Sequence, residues 1–222
     1  MSQFDISKLP QGPKGFVHDL GSDQRVFKGV PWGKAMMWIF LLSDTFIFSC
    51  FLISLMTARA STTVAWPYPS EVFGLTVFGT SVPLLLIAIM TFVLITSSGT
   101  MAIAVKYGYE KNRKLCGWFL LATAIGGLTF AFITGQLLVW QYYVNLGQYA
   151  STNPANAFFY LFTALHGLHI LGGLFFWGRA TTKLFQNNYS VTKIKQAISL
   201  CATYWHFLLI VWIVLFGLMI TT

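Results

Sequence analysis

Within the long apolar stretches of this chain stand a carboxylate, Asp44, and three imidazoles, His166, His169 and His206, with the amide of Gln136 as an uncharged companion. A charge at the centre of a bilayer costs about 2.5–3.5 kcal/mol on insertion scales, so each such side chain requires a partner or a task. His166 and His169 are spaced i, i+3 and would look to one side of a helix. Together with His206 they could form an imidazole pair around haem or a metal ion. A haem-carrying bundle needs facing histidines on two helices beside small residues, and a di-iron site needs a carboxylate with the histidine pair, which this pair lacks. A proton relay could use Asp44, but transporters repeat their halves and interrupt helices at matching positions, and no such repeat is present. The remaining reading is a buried polar cluster, Asp44 pairing with one of the imidazoles, that fixes helix register. Cys50, Cys116 and Cys201 lie far apart without metal-site spacing and read as packing residues.

These residues must be positioned by membrane-crossing helices. Of the 222 residues 56% are hydrophobic and only 9% charged, against roughly a quarter charged in a soluble domain. Apolar runs long enough to cross a hydrocarbon core of ~30 Å are expected at 35–57, 83–105, 116–143, 155–178 and 196–220. The sequence therefore predicts an all-α polytopic membrane protein with five transmembrane helices: a polar N-terminal arm over 1–34, which is no signal peptide, and a membrane domain over 35–222. Asp44, His166 and His206 lie nine to eleven residues into their spans, roughly 13–17 Å deep.

The net charge of +8 is explained by its distribution rather than by nucleic acid. Arg59 alone falls in the first loop, whereas the other cations lie in the N-terminal arm, the second loop (Lys106 to Lys114) and the fourth (Arg179 to Lys195). The positive-inside rule then puts the N-terminus in the cytoplasm and the C-terminus outside. Pro83 and the pair Asn153-Pro154 fit helix starts. Trp32, Trp118 and Trp177 at inner ends, and Trp66, Trp140, Tyr142 and Tyr143 at outer ones, are expected as interfacial anchors. Thr123, Gly127, Ala131 and Gly135 recur every fourth residue, a face on which a partner helix, in this chain or another, can approach closely.

Three segments carry a family resemblance. AFFYLFTALHGLHILGGL, from Ala157 to Leu174, resembles the His-Gly-x-His segment of subunit III of haem-copper cytochrome c and quinol oxidases. YWHFLLIVWIVLF, from Tyr204 to Phe216, is similar to that family's Trp-His-Phe segment, and WIFLLSDTFIFSCF, from Trp38 to Phe51, to its helix with a buried carboxylate. The likeness runs from Trp38 onward, in the same order, and fits the five-helix bacterial form. Asp in the first segment is closest to the quinol-oxidase branch.

The resemblance implies a subunit of a bacterial inner-membrane respiratory oxidase with no haem, copper or active site of its own. It would pack against catalytic subunit I, with subunit II and a small subunit IV as further partners, enclose phospholipid, and support proton uptake. Asp44, Gln136, His166, His169, Trp205 and His206 would then have structural or lipid-cleft roles. Val139 and Leu209 stand where the family usually carries intramembrane acids, which weakens any borrowed proton-transfer role. Alternatives are a subunit-III-like accessory protein of a nitric oxide reductase and, in another class, a transporter or a haem-bearing membrane anchor.

Overall fold

A computed structural model describes residues 32–66, 68, 74–77, 80–82, 84–130, 136–186 and 191–221. Its helices are α1 (Trp32–Ser61), α2 (Leu85–Tyr109), α3 (Arg113–Leu128), α4 (Gln136–Asn145), α5 (Pro154–Phe185) and α6 (Val191–Thr221), with strands β1 (Leu75–Val77) and β2 (Thr80–Val82) between α1 and α2. Four helices are long and apolar enough to cross a membrane: α1, α2, α5 and α6. The third expected span is represented by α3, a π-helical widening at Thr129 and Phe130, and then α4; residues 131–135 lie outside the described residues. Most of the arm over 1–34 lies outside them too, and α1 begins within its last residues.

The described helices run past the apolar windows because hydrogen bonding continues wherever no residue breaks it. Thus α5 has 32 residues, and at 1.5 Å per residue is ~48 Å long, well beyond the hydrocarbon thickness. Its start is set by Asn153, whose side chain accepts from Ala155 N, and by Pro154 in the first turn. The Asn153 Nδ2 also donates to Ala65 O at 2.8 Å, tying this start to the segment after α1. Asn153→Ala should cost about 1 kcal/mol for the cap alone, read as a lower melting temperature of the purified protein. Asn153→Asp keeps the cap acceptor and loses the donor, so it should fall between wild type and alanine; equal loss in both would mean the cap contributes nothing. Pro83 lies outside the described residues; α2 is preceded by Leu84 at φ 60.

Within the described part of the first loop, Leu75 pairs with Val82, Thr76 with Ser81 and Val77 with Thr80 in a two-stranded antiparallel sheet.

The chain divides into two compact units, 1–45 and 46–222. In the first, the described part of α1 buries Leu41 and Asp44 while Trp38, Ile39 and Leu42 are exposed. In the second, α2 packs on α3 and α6, α5 on α3 and α6, and α4 on α5. The main core joins Leu94, Met101, Leu120, Ile170, Trp177, Trp205 and Trp212. A smaller cluster joins Phe48 and Leu55 of α1 to Phe162 of α5 and Leu215 of α6.

The face carrying Thr123 and Gly127 on α3 finds its partners inside this chain. An ideal Cβ at Gly127 would stand 2.5 Å from Trp205 Cη2, and one at the neighbouring Gly126 2.9 Å from Ser97 Cβ. Small residues on this face let α2 pack closely on α3 and leave room for the Trp205 indole of α6. Ala131 and Gly135 lie outside the described residues.

Candidate functional site

His166 of α5 and Trp205 of α6 lie buried in the core of the second unit, whereas His169 and His206 are only half-buried. His166, 1% exposed, stands in mid-α5 with Nε2 3.2 Å from Leu208 O of α6. A carbonyl only accepts, so this nitrogen carries the proton in that contact and has no lone pair to offer a metal. The ring stacks on Trp212 at 5.5 Å and meets the edge of Phe130 at 5.7 Å. Trp212 in turn packs against Phe130 at 4.8 Å and donates from Nε1 to Thr91 Oγ1 on α2. One imidazole is thereby the centre of an aromatic joint between α2, the end of α3, α5 and α6.

One turn further along α5, half-buried His169 directs Nδ1 to Leu165 O of its own helix at 2.7 Å. Its ring lies 5.7 Å from that of Phe48, and its backbone carbonyl accepts from Tyr204 Oη at 2.9 Å. His206 on α6 makes the same local bond, Nδ1 to Ala202 O at 2.6 Å. Trp205, fully buried, packs on Trp177 with ring centroids 4.2 Å apart. Its Nε1 donates to Ser97 Oγ at 3.2 Å. Ser97 Oγ donates to Thr123 O, and the Thr100 and Thr123 hydroxyls are 2.8 Å apart. The indole N–H of Trp205 and the hydroxyls of Ser97, Thr100 and Thr123 are thus all hydrogen-bonded, in a network that spans three helices.

Of the other sequence candidates, Asp44 is buried on α1, on the same face as Leu41 and Phe48 at i−3 and i+4. Gln136 is the first residue of α4, and its side chain lies outside the described residues. Among the described residues no three His, Cys, Asp or Glu side chains gather as a metal-holding group.

Two interfacial anchor expectations are corrected. Trp177 is 1% exposed and packs on Trp205 with tilted rings, and Tyr143 is buried with its ring stacked on Phe159 at 4.4 Å. Both are core side chains, because they lie on helix faces turned toward neighbouring helices of this chain rather than toward lipid. Trp118 is highly exposed, as an anchor should be, and Trp140 is part-buried, donating to Thr163 Oγ1. The sequence reading missed Phe130, Ser97 and Trp212 as site residues. Trp212 could have been found: an indole deep inside a span is no interfacial anchor and must find an acceptor.

Comparisons with known proteins show the family. The family model for Cytochrome c oxidase subunit III matches residues 19–221. A protein named "Probable quinol oxidase subunit 3" from Staphylococcus haemolyticus (strain JCSC1435) is 28% identical over 206 residues, covering 90% of this chain and 93% of that protein. A protein of the same name from Staphylococcus aureus (strain USA300) is 27% identical over 200 residues, with the same coverage. With a match that spans nearly its whole length and motif histidines and tryptophan set between its helices, the chain belongs to the cytochrome c oxidase subunit III family.

Proposed function

We propose that this chain is the non-catalytic third subunit of a respiratory haem-copper oxidase in a bacterial cytoplasmic membrane, with quinol as the electron donor by likeness to its relatives' names. It packs against subunit I, with subunit II and a small subunit IV alongside, holds phospholipid and supports proton uptake during aerobic electron transport. Haem and copper belong to the partner subunits. The observation that carries this reading is the use made of the motif side chains: His166, His169, Trp205 and His206 each hydrogen-bond to a backbone carbonyl or a hydroxyl of this chain, and His166 and Trp205 lock helices together. Asp44 and Gln136 take structural roles in the same scheme. If Asp44→Asn left assembly and turnover unchanged, that role for Asp44 would be abandoned.

Five crossings with the N-terminus inside follow from the charge distribution and are supported by which helix ends meet. The end of α2 meets the start of α6 at Gly108 and Ile198, and the start of α3 meets the end of α5 at Gly117 and Phe185. The basic second and fourth loops therefore share one side, while the Asn153 to Ala65 bond joins two of the cation-poor connections on the other.

The test is gentle purification of the tagged chain from its native membrane, with a reduced-minus-oxidised spectrum and identification of the accompanying chains. Haem and copper should arrive only with a large partner, the isolated chain being spectrally silent. Haem absorbance retained by the chain alone and lost in His206→Ala would make it a cytochrome and overturn the reading; co-purification with a nitric oxide reductase would reassign the complex.

A further inference from the structure

The basic end of the second unit has a chemistry that helix packing does not use. There the end of α2, the start of α3, the end of α5 and the start of α6 are drawn together by Gly108 against Ile198 and Gly117 against Phe185. This brings Lys106, Lys111, Arg113, Lys114, Arg179, Lys183 and Lys195 to the same end of the unit, with Glu110 the only carboxylate among the described residues there, 4.0 Å from Lys106 Nζ. The Lys195 ammonium stands 5.0 Å from the centroid of the Tyr109 ring, a cation–π contact that holds it beside the α2–α3 turn. That turn is closed by Asn112 N donating to Tyr107 O, and it carries exposed Lys111 and, just beyond it, exposed Lys114. From Lys114 a stripe of exposed apolar side chains runs down α3: Trp118, Leu121 and Ile125, at i+4, i+7 and i+11.

We propose that this end of the protein binds an anionic phospholipid, its phosphate held by Lys111, Lys114 and Lys195 and its acyl chains lying along Trp118, Leu121 and Ile125. Cations above an apolar stripe complement an amphiphile of negative head and hydrocarbon tail. A free phosphate would use only the cations, and an acidic protein would leave the stripe without a counterpart. Basic residues where a helix leaves the membrane attract anionic headgroups in this way. The proposal rests on the membrane orientation given above, which turns this end to the cytoplasmic leaflet.

The experiment uses the purified native complex in phosphatidylcholine bilayers doped with spin-labelled phosphatidylglycerol, reading the motionally restricted fraction by electron paramagnetic resonance. Wild type should prefer phosphatidylglycerol over labelled phosphatidylcholine, and K111Q/K114Q/K195Q should reduce that preference at least about tenfold. The control K8Q/K14Q/K28Q removes as many cations from the N-terminal arm and should leave it unchanged. Equal loss in both variants would mean diffuse attraction without a site, and no loss in either would place the lipid elsewhere; each overturns the proposal. Displacement of the lipid by millimolar inorganic phosphate would mark a phosphate site instead, and an acidic protein held only by wild type would mark a protein surface, again overturning it. The haem content of the same preparations reports separately on the oxidase reading, so a haem-free complex with intact lipid preference would sink that reading alone.

Discussion

Gly127→Leu should disrupt the subunit more than any other single glycine substitution among the described residues. Even the first carbon of a new side chain would stand 2.5 Å from Trp205 Cη2, 3.1 Å from Cζ2 and 3.4 Å from Leu174 Cδ2. The indole is held in place by Trp177, whose ring centroid lies 4.2 Å from its own, and by the bond from its Nε1 to Ser97. Forcing extra carbon into a packed core costs about 1–3 kcal/mol, and a leucine adds four carbons where one already collides. Alanine should lie in that range and leucine above it, read as a lower melting temperature of the purified complex and loss of the subunit on detergent exchange. Gly99, with nothing within 4 Å of its ideal Cβ and an exposed position on α2, supplies the control: Gly99→Leu should be nearly neutral. Gly127→Ala combined with Trp205→Phe should recover part of the loss, since the smaller ring leaves room while giving up the bond to Ser97. Equal melting temperatures for Gly127→Leu and Gly99→Leu would mean that the seating of the Trp205 indole against Gly127 is not what holds these helices together.

Apolar length was the most legible property of the sequence, because a bilayer imposes it directly. The expected spans at 35–57, 83–105, 155–178 and 196–220 each lie inside or nearly inside an observed helix. Helix ends were less legible: Lys106 and Lys183 are polar yet helical, since a side chain that reaches water need not interrupt backbone hydrogen bonds. The span at 116–143 is where apolar content hid a change of backbone, for Thr129 and Phe130 are as apolar as a regular helix would be and hydropathy does not sense a widened turn. Within the site, the types of His166, His169 and His206 announced that they needed partners, but not which. The partners are largely backbone carbonyls, which every residue owns and no residue type advertises. The small-residue face on α3 was visible in its spacing, whereas the choice of Trp205 as the side chain that fills it depends on tertiary register.

His166→Ala and His166→Phe should separate packing from ligation. Alanine removes a ring that is 1% exposed and enclosed by Trp212 and Phe130, leaving a cavity that neither rigid neighbour can fill. Large-to-small changes in cores cost about 2–5 kcal/mol, and in a bilayer the lost packing persists even though lipid, not water, is the alternative surroundings of the side chain. Phenylalanine restores the ring and the stacking with Trp212 but deletes the Nε2 proton given to Leu208 O. That carbonyl lies inside α6, where the i+4 amide of Trp212 also donates to it, so the deletion should cost only the net worth of one hydrogen bond, about 0.5–1.5 kcal/mol. The expected order of melting temperature and of subunit retention is wild type, then phenylalanine, then alanine well below, with oxidase turnover following retention. A proton-carrying or metal-binding imidazole predicts otherwise: phenylalanine would be as inactive as alanine while the complex stayed assembled. Turnover abolished in a stable, fully assembled His166→Phe complex would therefore show that the ring's nitrogens, and not its shape, are what the oxidase requires.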